Sequence, residues 1–496
     1  MPYYTFKRSG RNRYLVLRWK KRINGIPTIV REVSVGTAEN LASMLDHGMD
    51  DLVLKSYSAG STLSALYIDA KIGFRDTVNA VMGRGKGMSP GDYMLLFIMN
   101  RLSDPCSKNG IEAWMERDYA SVIFPKAGSQ DFWNVMARFS DEKMKTIMDQ
   151  IRNRLIALGY DFSRIFVDAS NMYTFMEENG MAKKGHNKAH RYDLNQVSYY
   201  IAANYDYIPL FWNAYAGNVH DSQTFPAMVR EIPPDATVIF DRGYNSRENV
   251  DLLHDRRYIG ALTLSDHKDL MDLHVGMDSF TETEKVVYGS NHRIIVYHSL
   301  KLQKKRVKSF MKRFKTVYMK ARRIIESGDS DALEKARFYL ESEKFNETIL
   351  LPDLRIDHER MRRRLDLLGR NALFTSITDM KAAGIMDLYR KRNRVEHCFR
   401  TINTLDLAFP VYHWTAQKIR VHMFFSLIAY LFLALIYNEI HAQNDGISLI
   451  STAGYMKDMN LNYAAKGKMV TSRLECKSPE SEAIRKTLRL ESMIKS

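Results

Sequence analysis

Three carboxylates that are far apart in the sequence each occupy a position suited to binding a metal ion. Asp168 and Asp241 end two short apolar segments, RIFVD and TVIFD, and Glu396 lies in the basic segment 389–403. Carboxylate oxygens are the hard ligands that Mg²⁺ prefers, and two such ions about 3.5–4 Å apart can activate an attacking oxygen and stabilise a leaving one. Brought together by the fold, these side chains would suit metal-dependent phosphoryl transfer.

The segment around Glu396 also carries groups that bind phosphate. At 3.6 residues per turn, one face of the helix predicted here carries Tyr389, Arg392, Glu396 and Asn403. An adjacent apolar face carries Val395, Phe399 and Ile402. Arginine and tyrosine donors suit phosphate, so one helix can both pack and present chemistry. The competing interpretation is a solvated basic helix in which Glu396 forms an ion pair with Arg392 or Arg400.

Two other basic segments are candidates for contact with a phosphate backbone. The loop Lys183–Arg191 offers Lys184, Lys188 and Arg191, whereas its two histidines lack the further ligands that a zinc site needs. The segment Lys301–Ile325 holds eleven Lys and Arg residues, no acid, and apolar residues every three or four positions. This pattern predicts an amphipathic helix, which either is solvated or contacts DNA. The residues proposed for that contact are Lys304, Lys305, Lys312 and Arg313.

The elements that must position the carboxylates follow from the pattern of apolar segments. Between Ser163 and Leu264 the sequence predicts the order β-β-β-α-β-α-β, in which Asp168 ends the first strand and Asp241 the fourth. Neighbouring strands of one sheet would bring these two side chains together. Glu396 must then arrive on a helix that follows a long insertion.

The remainder of the chain divides into segments of different pattern. Residues 1–36 alternate as strands around Asn24-Gly25 and predict a basic hairpin, which is either an edge protected by charge or a DNA-contacting arm. Helical periodicity follows, with Ser89-Pro90 as a typical helix start. The predicted domains are the β-hairpin (1–36), a helical DNA-binding subdomain (37–160), a catalytic core in two parts (161–267 and 379–445), an insertion domain (268–378) and a tail that is a candidate for dimerisation (446–496).

The composition limits the classes of function. The 496 residues are 45% hydrophobic, which is enough for several domains with a substantial core. The formal charge of +16 is clustered and favours a polyanionic partner, above all nucleic acid. Three widely spaced cysteines fit a reducing cytoplasm, and Met1–Arg13 lacks the apolar run of a signal peptide. The one membrane-like segment, Val421–Tyr437, is short for a span and is predicted to be a buried core helix.

The sequence resembles the DDE transposases of bacterial insertion sequences, in the branch with a Tyr-x2-Arg-x3-Glu-x6-Lys signature. Tyr389, Arg392 and Glu396 match that signature. The likeness extends to Asp168 in FVDAS and to Asp241 in the DRGY box. It also includes HRYDLNQV, IPLFWNAYAGNVHDSQT and the later stretch FRTINTLDLAFPVYHW. The resemblance therefore covers most of the chain.

The resemblance implies an α/β fold class. Its parts are a ribonuclease-H-like mixed sheet flanked by helices and an α+β insertion before the last catalytic helix. The residue pattern adds an N-terminal β-hairpin and an all-α subdomain. It implies that the metal ligands are Asp168, Asp241 and Glu396, holding Mg²⁺ or, in its place, Mn²⁺. Tyr389 and Arg392 would hold a phosphate near the cleaved end. Further DNA-binding candidates are Arg242, Lys188, Arg191, Arg400 and Asn403, the last of which stands where the signature has lysine.

The function implied is that of a cut-and-paste DNA transposase in the cytoplasm, associated with the nucleoid. Water hydrolyses a strand at each transposon end, and the freed 3′-OH attacks target DNA. The implied partners are terminal inverted repeats, target DNA and a second copy in a dimer, with no membrane, and the branch implies a hairpin intermediate. One alternative is a ribonuclease-H-like nuclease that only hydrolyses. The other is a non-catalytic DNA-binding descendant, for which Asn403 is the only hint.

Overall fold

The N-terminal part of the chain forms a small sheet followed by a group of helices. The computed structural model describes residues 2–494 apart from 11, 24–25, 38–52, 86, 186–190, 444–445 and 467–468. Strands β1 (Pro2–Ser9), β2 (Asn12–Ile23) and β3 (Ile26–Thr37) pair antiparallel in that order. After β4 (Val53–Ser58) come α1 (Gly60–Ile72), α2 (Phe74–Met82), α3 (Pro90–Ser103), α4 (Ile111–Met115), α5 (Ala120–Ile123), α6 (Ser129–Met136) and α7 (Asp141–Ala157).

An eight-stranded mixed sheet forms the centre of the structure. Its first five strands are β5 (Arg164–Thr174), β6 (Asn195–Ala203), β7 (Pro209–Ala216), β8 (Thr237–Phe240) and β9 (Tyr258–Leu262). Helices α8 (Asp221–Glu231) and α9 (Arg247–Asp251) connect the later strands. These elements confirm the order predicted for residues 163–264. Strand β5 pairs antiparallel with β6 and parallel with β8, which in turn is parallel to β9.

Part of the predicted insertion belongs to this central sheet. After α10 (Lys268–Met271), strands β10 (Phe280–Val287) and β11 (Ser290–His298) extend one edge of the sheet. The intervening unit contains α11 (Leu300–Glu326), α12 (Ala332–Ser342), β12 (Ile349–Leu350), β13 (Arg355–Ile356) and α13 (His358–Leu367). It has its own small core around Phe314, Val317 and Phe345. Strand β14 (Arg370–Thr375) then returns between β11 and β9, giving the order β10-β11-β14-β9-β8-β5-β6-β7.

The last part of the chain covers the sheet and reaches back to the N-terminal helices. It contains α14 (Ala382–Arg390), α15 (Asn393–Thr404), α16 (Ala416–His441), α17 (Leu449–Lys457), β15 (Met459–Lys466), β16 (Met469–Cys476) and α18 (Pro479–Thr487). Helix α16 is the one helix of the described chain that is long and apolar enough to cross a membrane, and 94% of its most apolar window is buried. Its rings pack inside the protein, with Phe425 edge-on to Phe97 and Phe139. The prediction of a core helix is confirmed.

Two features of the predicted fold class need correction. The predicted N-terminal hairpin is present as β2 and β3, but β1 pairs with β2 along its whole length and makes it a three-stranded sheet. The Asn24-Gly25 turn itself lies outside the described residues. The region 37–160 is not all α, because β4 pairs with β15 from Asn460↔Ser58 to Ala465↔Val53. Six mostly exposed residues with so distant a partner have no local signal strong enough to predict a strand.

Candidate active site

The strand register brings Asp168 and Asp241 side by side. In the parallel pair of β5 and β8, Phe166 lies opposite Ile239. Asp168 and Asp241 each follow two residues later, so both return to the same side of the sheet on neighbouring strands that are about 4.8 Å apart. Asp241 directly follows β8, as predicted for a residue at a strand terminus. The prediction that Asp168 ends its strand is wrong, because β5 continues for six residues beyond it.

The Glu396 segment forms two helices rather than the one that was predicted. Around Arg392 the backbone remains helical, with φ −55° and ψ −24°. Its amide donates to the carbonyl of Tyr389, and the amide of Val395 donates to the carbonyl of Arg392, so bonds to residue i−3 replace those to i−4. The segment contains no Pro or Gly that would mark this break. The apolar face is as predicted, with Val395, Phe399 and Ile402 buried.

One guanidinium contacts all three candidate carboxylates. Arg392 Nη1 lies 3.4 Å from Asp168 Oδ2, and Nη2 lies 3.6 Å from Asp241 Oδ2 and 2.8 Å from Glu396 Oε1. The fold therefore brings together side chains from β5, from the end of β8 and from α15. The predicted gathering of Asp168, Asp241 and Glu396 is present, and so is the competing ion pair between Glu396 and Arg392.

Burial and charge act in opposite directions on this arginine. The side chain of Arg392 is only 14% exposed, and those of Asp168, Asp241 and Glu396 are 15%, 39% and 48% exposed. Burial disfavours the charge of Arg392, but the negative charges around it, first that of Asp241, raise its pKa above the usual range. Arg392 is therefore a permanent cation at the edge of the sheet.

Tyr389 completes this side of the site. Its hydroxyl oxygen lies 3.5 Å from Asp241 Oδ1, and the guanidinium carbon of Arg392 lies 5.9 Å from the centre of its ring. Burial and the nearby charge of Asp241 raise the pKa of Tyr389, so the hydroxyl keeps its proton at neutral pH. Both Tyr389 and Arg392 are thus donors beside the carboxylates.

The donor set is chemically suited to a divalent cation. Three carboxylates face one guanidinium, which offsets only one of their three charges, and two of them are substantially exposed. Hard oxygen ligands with excess negative charge are what Mg²⁺ and Mn²⁺ bind. As arranged here the carboxylates reach toward Arg392, and the described part of the chain holds no group of three or more His, Cys, Asp and Glu placed to hold a metal ion.

The other predicted contacts near the site are spread more widely. Arg242 follows Asp241 directly and is exposed, and its amide donates to Asp241 Oδ1 at 2.8 Å. Arg400 and Asn403 are exposed in the second half of α15, and neither forms an ion pair or side-chain hydrogen bond within the described residues. Lys188 lies outside those residues. Arg191 is bound to Asp193 at 2.7 Å and lies over the ring of Tyr173.

Helix α11 carries a lysine stripe, which we define as Lys301, Lys304, Lys305, Lys308, Lys312 and Lys315. These side chains recur every three or four residues and are all exposed, opposite the buried Phe314 and Val317. None of the six forms an ion pair within the described residues. Lys304, Lys305 and Lys312 were predicted as DNA contacts, and the helical spacing alone would have added the other three.

Arg313 differs from the lysines of the stripe. It projects from another side of α11, where its guanidinium pairs with Glu343 at 2.7 Å and lies over the ring of Phe345. A cation that already has a carboxylate and an aromatic partner is a poorer candidate for phosphate contact. Arg313 therefore has partners within the insertion that the lysines of the stripe lack.

Comparison with known proteins identifies the class to which this site belongs. Residues 159–432, which include all three carboxylates, match the family described as Transposase DDE domain. The chain belongs to this family. As a DDE-domain transposase it is an enzyme of DNA transposition and recombination.

Two other comparisons accompany the family match. The DDE-domain chain is similar to the piggyBac transposase in a cryo-EM structure of its synaptic complex with hairpin DNA, at 8% sequence identity and a TM-score of 0.41. That similarity covers 88% of this chain and 85% of the other. No curated protein matches the sequence.

Proposed function

We propose that this transposase cleaves DNA at transposon ends and transfers the freed 3′ ends into target DNA, using two divalent cations. The observation that carries the proposal is the convergence of Asp168, Asp241 and Glu396 on one point at the edge of the sheet. Mg²⁺ is the proposed cation, with Mn²⁺ as a substitute, and these three carboxylates would hold it.

Each part of the site has a proposed task. When bound, the cations supply the charge that activates the attacking oxygen and stabilises the leaving one. Asp168 and Asp241, fixed on neighbouring strands, provide the rigid side of the site, and Glu396 on α15 provides the other. Arg392 and the protonated hydroxyl of Tyr389 donate to phosphate oxygens and orient the scissile phosphodiester. The lysine stripe of α11 contacts the backbone further along the DNA without reading its sequence.

The order of the central strands supports a ribonuclease-H-like core. Strands β7-β6-β5-β8-β9 lie in the order 3-2-1-4-5, with the first three antiparallel and the last two parallel to β5. We place the protein in the insertion-sequence branch on its match to the signature at Tyr389, Arg392 and Glu396. A homodimer at paired ends, terminal inverted repeats as substrate and a nucleoid-associated location in the cytoplasm are parts of the same proposal.

The test is an assay of Mg²⁺-dependent nicking and strand transfer on DNA that carries the element's ends. Asp168→Asn, Asp241→Asn and Glu396→Gln each remove one negative charge with little change in size. We expect all three proteins to fold and bind DNA, and neither to nick nor to join it. Asp387→Asn is the matched control, because Asp387 lies on α14 near the site and pairs only with Lys391 in the described chain.

The possible results separate the proposal from its alternatives. A Glu396→Gln protein that cleaves at the wild-type rate would remove the third ligand and refute the carboxylate assignment. A wild-type protein that nicks the ends but never joins them would favour a nuclease without strand transfer. A wild-type protein that binds the ends and does neither would indicate a non-catalytic descendant.

A further inference from the structure

Arg392 occupies the carboxylate oxygens that the proposed cation needs. Its two terminal nitrogens contact Asp168, Asp241 and Glu396 at 3.4, 3.6 and 2.8 Å. On the basis of the proposed function, we infer that Arg392 is an internal counter-ion that a divalent cation must displace from these carboxylates. The same guanidinium then becomes available to phosphate, so metal binding and substrate binding are linked through one side chain.

Charge explains why the guanidinium and the cation compete. Three carboxylates gathered at one edge of a sheet repel one another, and a single cation between them relieves that repulsion. Arg392 provides this cation permanently, because a guanidinium is not deprotonated in proteins. A divalent ion bound to the same oxygens would lie within a few ångström of the guanidinium and repel it. The two cations therefore exclude each other from the carboxylates.

The backbone around Arg392 suits a side chain that binds carboxylates in one state and phosphate in another. The i−3 hydrogen bonds at the junction of α14 and α15 hold its Cα at the edge of the carboxylate cluster. The ring of Tyr389 lies beside the guanidinium, at 5.9 Å from its carbon. Arginine presents a planar fork that fits carboxylate and phosphate equally well, so moving from one to the other needs no change of chemistry.

The primary test measures the affinity of the DNA-free protein for Mn²⁺, by electron paramagnetic resonance of the free ion. Arg392→Gln removes the competing charge, and Arg392→Lys keeps the charge but cannot bridge three carboxylates in the same way. We expect both variants to bind Mn²⁺ more tightly than the wild type, by about tenfold or more, since a lost hydrogen-bonded ion contact is of that size. Arg390→Gln is the control, because Arg390 is exposed and contacts no carboxylate in the described chain.

Thermal unfolding gives a second, independent measurement. Without metal, Arg392→Gln should melt below the wild type, because the three carboxylates lose their counter-ion. Saturating Mn²⁺ should then raise the melting temperature of this variant more than that of the wild type, since at one ligand concentration the stabilisation grows with the logarithm of the affinity. If Arg392→Gln does not fold, Arg392→Lys carries the affinity test alone.

Asp168→Asn separates failure of this inference from failure of the proposed function. If Asp168→Asn abolishes Mn²⁺ binding while both Arg392 variants bind like the wild type, displacement of Arg392 is refuted and the metal site stands. If Asp168→Asn binds Mn²⁺ like the wild type, the ion lies elsewhere and the proposed function fails with the inference. If Arg390→Gln increased the affinity for Mn²⁺ as much as Arg392→Gln does, the increase would come from net charge alone. That result would also refute displacement.

Discussion

The lysine stripe of α11 leads to a quantitative prediction about DNA binding. From Lys301 to Lys315 the helix rises about 21 Å, which is about six phosphate steps along one strand of a duplex. The tested protein replaces four members of the stripe by glutamine, namely Lys304, Lys305, Lys308 and Lys312. All four are exposed and without ion pairs in the described chain, so each replacement should change stability by less than about 0.5 kcal/mol.

The expected magnitude follows from counter-ion release. Each phosphate contact contributes about 0.9 to the slope of log affinity against log salt, so losing four contacts should reduce that slope by about 3.6. Between 50 and 200 mM salt, the affinity of the wild type should therefore fall about 150-fold more than that of the variant. The assay is fluorescence anisotropy of one duplex with the element's end and one unrelated duplex, and the slope should change equally for both.

A matched control removes four positive charges from the same insertion without touching the stripe. It replaces by glutamine four cations that already have acidic partners, namely Arg313, Arg322, Lys335 and Arg360. The control should keep most of the wild-type slope. Equal slopes for the two quadruple variants would show that only net charge matters, and an unchanged slope for the stripe variant would show that α11 does not contact DNA.

Three further predictions concern the buried core. Burial raises the pKa of Asp118 from 3.8 to about 6, so its ionisation opposes folding. Relative to Asp118→Asn, the wild type should lose about 2 kcal/mol of stability between pH 4 and pH 7 in urea unfolding, and a pH-independent difference would contradict this. Phe425→Ala should cost about 3–5 kcal/mol, because Phe425 packs on Phe97 and Phe139; a loss below 1 kcal/mol would contradict that packing. The buried helix Ala416–His441 predicts recovery without detergent, and retention in membranes after alkaline washing would be inconsistent with it.

The strands that carry the two aspartates were predictable because their signal is local. RIFVD and TVIFD are apolar runs that each end in an acid, and the parallel pairing of Phe166 with Ile239 is the arrangement that neighbouring strands adopt. The strand β4 could not be predicted in this way. Its pairing with β15 joins residues that are some 400 positions apart, and its six residues are mostly exposed.

The contacts of Arg392 could be predicted from the sequence only in part. The sequence allowed Glu396 to serve as a metal ligand or as the partner of an arginine, because both depend on which side chains other elements bring nearby. The structure shows Glu396 in contact with Arg392, and Arg392 in contact with both aspartates as well. Spacing within one helix predicts the contact between Arg392 and Glu396, but it cannot reveal the contacts of Arg392 with Asp168 and Asp241, since these depend on where β5 and β8 lie.

The contact between Asp168 and Arg392 joins residues 224 positions apart, and α16, which packs against α15, ends only at His441. A ribosome that adds about 5–20 residues per second needs tens of seconds to pass from the first carboxylate to the end of that helix. While residues 327–395 are being added, the nascent chain has its basic helix but no third carboxylate. A gene copy interrupted between residues 326 and 396 would encode a polypeptide that retains the lysines and lacks Glu396. It would also lack α16, whose buried side chains form much of the core, so the lysines alone would not give it the fold of the intact protein.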